Sequence, residues 1–226
     1  MQMKWLRKNH HTIRNWQTNA IIIQDSGIGL TARGLLNRVL AGKYDTQHQT
    51  RMQFHFDQYE SPRTSIELAY ADLRGFDLKE IDFSDITYAL DGLNMDGANL
   101  SGANMTLARM MNMRVDRNTK LSNVCFVDAD LSNMVGDARF HKCKMSGAML
   151  ASSLLNYSVF TECEANNMSF RDSTLQHAYI ANTNMDFTDF TNTAINRAVF
   201  MGVNFRDIQL TKEQLSGITV NGLLIP

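Results

Sequence analysis

The sequence is poor in the features that mark secreted, membrane-spanning or catalytic proteins. Its three cysteines (Cys125, Cys143, Cys163) share no paired spacing, which argues against a disulfide framework and points to a reducing compartment. Its longest apolar runs, such as residues 20–23, fall far short of the ~20 residues that cross a bilayer. The start shows no charged n-region, apolar h-region and cleavage site in succession, so the expectation is a cytoplasmic protein that makes no use of the membrane. Leaderless secretion, of the kind bacterial effectors use, would leave no such mark. No P-loop is present, and Gly27-Ile28-Gly29 with Gly34 departs from G-x-G-x-x-G. His10-His11 lacks companions at metal-ligand spacing, so no metal and no cofactor is expected.

Net charge is also small, at −1, but it is unevenly spread. Residues 1–65 carry nine Lys/Arg against four Asp/Glu, and residues 66–226 carry thirteen against nineteen. The excess acid is confined to residues 67–96, which hold eight acids, among them Asp72, Asp77, Asp82 and Asp85, against Arg74 and Lys79. Residues 97–226 balance at eleven of each sign.

What the chain has is a period of five. Every fifth residue from Phe140 to Leu215 is apolar: Phe140, Met145, Leu150, Leu155, Phe160, Ala165, Phe170, Leu175, Ile180, Met185, Phe190, Ile195, Phe200, Phe205, Leu210 and Leu215. Residues five apart share neither a helix face nor a strand face, so the chain must turn a corner every five residues. Two positions before each apolar site, twelve of sixteen residues are Ala, Cys, Ser or Thr, so this companion site is cramped and points the same way. Upstream the pattern continues as Ala71-Asp72-Leu73, Ala98-Asn99-Leu100, Ala103-Asn104-Met105, Ala108-Arg109-Met110 and Ala129-Asp130-Leu131.

These A-[D/N]-L-x-x units resemble the pentapeptide-repeat family over residues 66–215. The resemblance implies an all-β solenoid, a right-handed quadrilateral β-helix with four five-residue faces per coil and the large and small sites turned inward. At about 4.8 Å per coil, roughly 150 residues make about seven and a half coils and a rod about 35 Å long. A twenty-residue coil stacks Phe140, Phe160 and Phe200 with Ile180, and Leu150, Phe170, Phe190 and Leu210 in another column. Three register breaks are expected to bulge outward as extra residues, near residues 87–92, 112–123 and 132–137.

The ends are expected to cap the solenoid. Residues 1–65 form a basic, small α/β appendage, with a helix N-capped by Thr31 and a strand through Met52, Phe54 and Phe56. Residues 19–40 resemble the opening strand and first helix of winged-helix domains. No second helical pattern follows to read DNA, so direct nucleic-acid binding is not expected. At the other end Thr211-Lys212-Glu213-Gln214 is a capping box for a short helix. Val220, Leu223, Leu224 and Ile225 in residues 216–226 then close the last coil or pair two copies of the chain, as C-terminal segments do in dimeric relatives of the family.

No convergent acid, base or nucleophile emerges, so the expectation is not an enzyme. Cys143 and Cys163 stack inward, and Cys125 faces outward. Two functions remain open. One is a protein-interaction scaffold, conceivably an effector, that binds an unidentified protein through faces and bulges. The candidates are Asp72, Asp77, Asp82 and Asp85 on the acidic side, or Arg109, Arg114, Arg117 and Lys120 at the second break. The other, implied by the resemblance, is a DNA-mimic modulator of DNA gyrase or topoisomerase IV, which calls for an acidic rod.

Overall fold

The structure, a computed structural model, describes residues 12–14, 21–24, 66–67, 73–75, 78 and 93–225. The helix expected after Thr31, the strand at residues 52–56 and Asp72, Asp77, Asp82 and Asp85 lie outside the described residues. Within residues 1–65, β1 (Thr12–Arg14) and β2 (Ile21–Gln24) pair antiparallel.

From Leu93 onward the chain is a parallel solenoid of about 6 turns. The expected seven and a half coils included a first coil that is only partly described. Strands β6 (Leu121–Ser122), β7 (Arg139–His141), β8 (Val159–Thr161), β9 (Tyr179–Ala181) and β10 (Val199–Met201) stack in parallel and make the first face. Single bridges build the others: Lys144–Glu164–Asn184–Asn204 on the second, Met149–Ser169–Asp189 on the third and Leu154–Thr174–Ala194 on the fourth. Four faces at a spacing of twenty residues make a four-sided coil. On the fourth face β3 (Ile66–Glu67), β4 (Leu93–Asn94) and β5 (Met113–Arg114) form a separate parallel sheet.

Most corners are turned by a residue in the left-handed region two positions after the inward apolar one, the inserted corner after Val115 and the short one after Gly136 being exceptions. The series includes Asn112, Asn123, Asp128, Asn133, Asn167, Asp172, Asn182 and Asn192. Asn and Asp tolerate this region better than other non-glycine residues. Leu107, Tyr157 and Phe187 occupy it too, at φ 57°, 64° and 60°, where bulky side chains are uncommon.

The core is the inward ledger of large and small sites. Phe126, Phe140, Phe160, Phe170, Phe190 and Phe200 are fully buried. Phe140 stacks on Phe160 at 4.7 Å and Phe170 on Phe190 at 5.4 Å, while Phe160 meets Phe170 edge-on at 5.6 Å, which joins the two columns. Met145, Leu150, Leu155, Leu175, Ile180, Met185 and Ile195 complete the buried set, whereas Phe205 and Leu210, near the open end, are half-buried. The small sites have a polar reason besides space. The Ser153 hydroxyl accepts from Met134 N at 3.0 Å and that of Ser158 from Ala138 N at 3.0 Å, and Thr193 Oγ1 donates to Phe170 O at 2.7 Å. The Ser158 hydroxyl gives Ala138 N its partner, and those of Ser153 and Thr193 add a second bond to Met134 N and Phe170 O, which already pair with Leu131 O and Ser173 N.

The second and third register breaks are a matched pair. Asn99–Lys120, Asn104–Cys125, Arg109–Asp130 and Arg114–Val135 pair at a spacing of twenty-one, so one extra residue enters between Val115 and Leu121. The next coil pairs at nineteen, as in Leu121–Phe140, Cys125–Lys144, Asp130–Met149 and Val135–Leu154. The bulge expected near residues 132–137 is therefore a deletion. Gly136 takes the inward site of the fourth face at φ 140°, and the following corner is one residue short. The insertion expected near residues 87–92 at the first break is consistent with the jump of twenty-seven residues from Ile66 to Leu93 in the β3–β4 pairing.

Asp116 braces the inserted corner. Its Oδ1 accepts from the backbone N–H of Gly97, Asn118 and Thr119 at 2.8, 3.0 and 2.9 Å, and Oδ2 accepts from the Asn118 amide at 2.8 Å. Buried Thr119 Oγ1 sits 3.0 Å from Met95 O and accepts from Gly97 N, which ties the corner to the coil below. Partial burial acts to raise the Asp116 carboxyl, but the hydrogen bonds from Gly97, Asn118 and Thr119 outweigh it and hold the group below the usual carboxylate range.

The C-terminal end closes as expected. Thr211 caps α1 (Lys212–Leu215) in a complete capping box. Gln214 also donates to Phe190 O at 2.7 Å and Thr193 O at 2.9 Å, covering carbonyls of the preceding coil. Beyond it β11 (Thr219–Val220) adds to β10, and β12 (Leu223–Leu224) folds back antiparallel as the end strand of a seven-stranded sheet.

Candidate functional site

The basic residues singled out at the second break do not act as one cluster. Arg109 stands at an exposed bridge position of the third face. Arg114 lies on the fourth face, with Nε 2.8 Å from Asp96 Oδ2. Arg117 lies at the inserted corner, 3.5 Å from Asp137, and Lys120 follows Asn99 in the outward column of the first face.

Arg117 and Lys120 instead join two residues from the next coil. The insertion lifts the corner beside the first face and opens a cleft of about 380 Å³ there, lined by Arg117, Asn118, Lys120, Ser122, Arg139 and His141 among others. His141 Nδ1 lies 3.0 Å from Thr161 Oγ1. Arg139 and His141 were not legible as partners of the break, because a count along the chain separates them from Arg117 by a whole coil.

A larger feature covers the fourth face, the corner after it and the first face. Residues 154–161, 174–181 and 194–201 stack there over three coils, and Arg197 is their only Lys, Arg, Asp or Glu. The outward residues include Leu154, Tyr157, Tyr179 and Met201, which are 53%, 61%, 42% and 36% exposed. Tyr157 stacks flat on His177 at 4.8 Å across the corner. The other two faces carry the charge: Lys142, Lys144, Glu162, Glu164, Arg171, Asp172, Asp186 and Asp189 all lie on them or at their corners. The residue just before each inward apolar one, compared at twenty-residue spacing, is the signal that would have found this asymmetry.

The remaining chemistry is structural. Cys143 and Cys163 are buried, and Cys143 Sγ donates to Leu121 O at 2.6 Å; its contact with Cys163, together with burial, pushes the thiol up and keeps it protonated. Cys125 is half-exposed, 3.2 Å from Thr106 Oγ1. Among the described residues, no three His, Cys, Asp or Glu side chains group to hold a metal, and no helix is long and apolar enough to cross a membrane. At the C-terminus Val220 and Ile225 pack partly against the core, whereas Leu223 is 69% exposed. Leu224 pairs with Thr219 in the sheet.

Residues 169–207 match the family model "Pentapeptide repeats" in 8 copies. No curated protein sequence matches the chain. Among solved structures it is similar to QnrB1, a plasmid-mediated fluoroquinolone resistance protein, at 15% identity and a TM-score of 0.30, covering 67% of this chain and 82% of that one. It is also similar to the pentapeptide repeat protein Rfr23 from the cyanobacterium Cyanothece 51142, at 15% identity and a TM-score of 0.31, covering 60% and 84%. A further structure is HetL from the cyanobacterium Nostoc sp. strain PCC 7120, a pentapeptide repeat protein involved in heterocyst differentiation regulation, at 14% identity, a TM-score of 0.20, and 68% and 84% coverage. The pentapeptide repeats matched at residues 169–207 are part of a parallel β-solenoid that begins at Leu93 and ends before the capping helix, so the chain carries a pentapeptide-repeat β-helix.

Proposed function

We propose that the chain is a non-enzymatic, cytoplasmic protein-interaction scaffold that engages a protein partner through the charge-poor stretch of its fourth and first faces, residues 154–161, 174–181 and 194–201. The observation that carries this is the segregation of charge over three coils: residues 154–161, 174–181 and 194–201 expose Leu154, Tyr157, Tyr179 and Met201 with Arg197 as their one charged residue, and the second and third faces of the same coils carry Lys144, Glu164, Arg171, Asp172, Asp186 and Asp189. Aromatic residues on a rigid surface supply contact area at small conformational cost, and a contiguous exposed apolar patch marks an interaction site. The sheet beneath is fixed by coil-to-coil hydrogen bonds such as Leu155 N to Thr174 O at 2.9 Å and Tyr179 N to Ser158 O at 3.0 Å, so little order is lost on binding. Affinity capture with the full chain and with a Tyr157→Asn/Tyr179→Arg variant tests this: a partner retained by the first and lost by the second supports it, and equal capture contradicts it.

The gyrase or topoisomerase IV alternative rests on acid concentrated in residues 67–96, while residues 97–226 are balanced in charge. A DNA mimic needs a continuous negative stripe. A supercoiling assay with and without a quinolone decides it, and no effect at micromolar protein rules it out.

Self-association through the end strand is a separate proposal, favoured by the exposure of Leu223. Light scattering on the full chain and on Leu223→Asp tests it, with a dimer that dissociates in the variant as the supporting result and a monomer in both as the contrary one.

A further inference from the structure

The cleft at the inserted corner has a composition that the solenoid does not require. Each five-residue step of residues 139–204 turns a corner; this one takes six, and Asp116 and Thr119 hold it open with hydrogen bonds to Gly97 and to each other. The opening brings Arg117 and Lys120 of one coil beside Arg139 and His141 of the next, and no Asp or Glu lines it. Asp137 lies against Arg117 at 3.5 Å and steadies one guanidinium. Thr161 occupies His141 Nδ1, which leaves Nε2 as the ring atom for a ligand. Side-chain donors from Asn118 and Ser122 complete the wall.

We propose that this cleft binds the phosphoryl group of a small phosphorylated molecule. A phosphate monoester carries about −1.5 to −2 charge at neutral pH and three strong acceptor oxygens. Arg139 and Arg117, the latter shared with Asp137, present two planar guanidinium forks of the kind that bind phosphate oxygens in pairs. The volume of about 380 Å³ exceeds a bare phosphate and falls within the range of small-molecule sites. A nucleic-acid strand would need a basic track along the rod. The outward column runs Asn99, Lys120, Arg139, Val159, Tyr179 and Val199, so the positive charge spans only two coils. Nothing in this proposal depends on the protein partner of the apolar faces.

The test is isothermal titration of the full chain with inorganic phosphate, pyrophosphate, glucose 6-phosphate and ADP as probes, with citrate and a single-stranded oligonucleotide at matched ionic strength as controls. At least one phosphorylated probe is expected to bind at sub-millimolar concentration. Arg139→Gln and Lys120→Gln, both at exposed positions, should each weaken it about tenfold or more at an unchanged melting temperature. Tighter binding of the esters or ADP than of inorganic phosphate identifies an organic phosphate as the ligand. Equal binding identifies the phosphate ion itself, and either result supports a phosphoryl site. The proposal is overturned if no phosphorylated probe binds at millimolar concentration, if citrate or the oligonucleotide binds as tightly, or if both variants bind like the wild type.

Discussion

Gly136 sits directly over the carbonyl of Val115 in the coil below: a Cβ on Gly136 would stand 1.7 Å from that oxygen and 2.8 Å from its carbon. The contact is backbone against side-chain space and has no flexible end to give way. It lies where a coil of twenty-one residues meets one of nineteen, so Gly136 lets the insertion and the deletion cancel within a single stack.

Gly136→Ala is therefore expected to destabilise the protein by about 3 kcal/mol or more, beyond the usual cost of a strained backbone position, because the coils must separate. Chemical denaturation followed by circular dichroism measures it. A change under about 0.5 kcal/mol would contradict this account of the register.

Asp116 gives a pH dependence with a definite sign. Its folded-state value lies below the ordinary carboxylate range, so the unfolded chain binds more protons in acid. The stabilisation is present above a pH of about 3.9 and is lost as pH falls through the lower folded-state value. Asp189, held down by hydrogen bonds from the Thr191 hydroxyl and backbone N–H, acts in the same sense. Asp116→Ala should cost about 1–3 kcal/mol at neutral pH and flatten the acid limb. Urea titrations between pH 3 and pH 6 check both.

Tyr157 is held at φ 64° and is 61% exposed. Asn tolerates that backbone better, so Tyr157→Asn is expected to raise stability by about 0.5–1 kcal/mol while weakening partner binding. Gain of stability with loss of binding separates a surface kept for contact from one kept for folding. Thermal melts paired with binding measurements distinguish the two.

Gln214 closes the capping box and covers Phe190 O and Thr193 O. Gln214→Ala should cost about 1–2 kcal/mol and loosen the last coil first. Hydrogen exchange would show faster exchange at Thr219 and Asn221, whose N–H groups bond Ala198 and Phe200 of the last full coil, than at Tyr179.

The solenoid was legible because its inward residues are selected at every step. Phe140 over Phe160, and Phe170 over Phe190, follow from spacing alone, and Thr211 and Gln214 spelled out their own cap. The sign of the third break was not legible: an apolar count passes over Gly136, whose inward role depends on the absence of a side chain. The cleft was half legible, since Arg117 and Lys120 stand together in sequence while Arg139 and His141 arrive from the next coil. The charge-poor stretch was missed because the lack of Lys, Arg, Asp and Glu recurs at twenty residues, over 154–161, 174–181 and 194–201, and shows no selection at five. Asp72, Asp77, Asp82 and Asp85 lie outside the described residues.

The central claim is that recognition uses the fourth and first faces and not the charged ones. The direct measurement is quantitative capture of partner proteins by three forms of the full chain: wild type, Leu154→Arg/Tyr179→Arg, and Glu164→Lys/Asp189→Lys on the opposite faces. The account predicts a partner held by the wild type and the charged-face variant and lost by the apolar-face variant, with all three folded. Loss from the charged-face variant alone, or equal capture by all three, would contradict it.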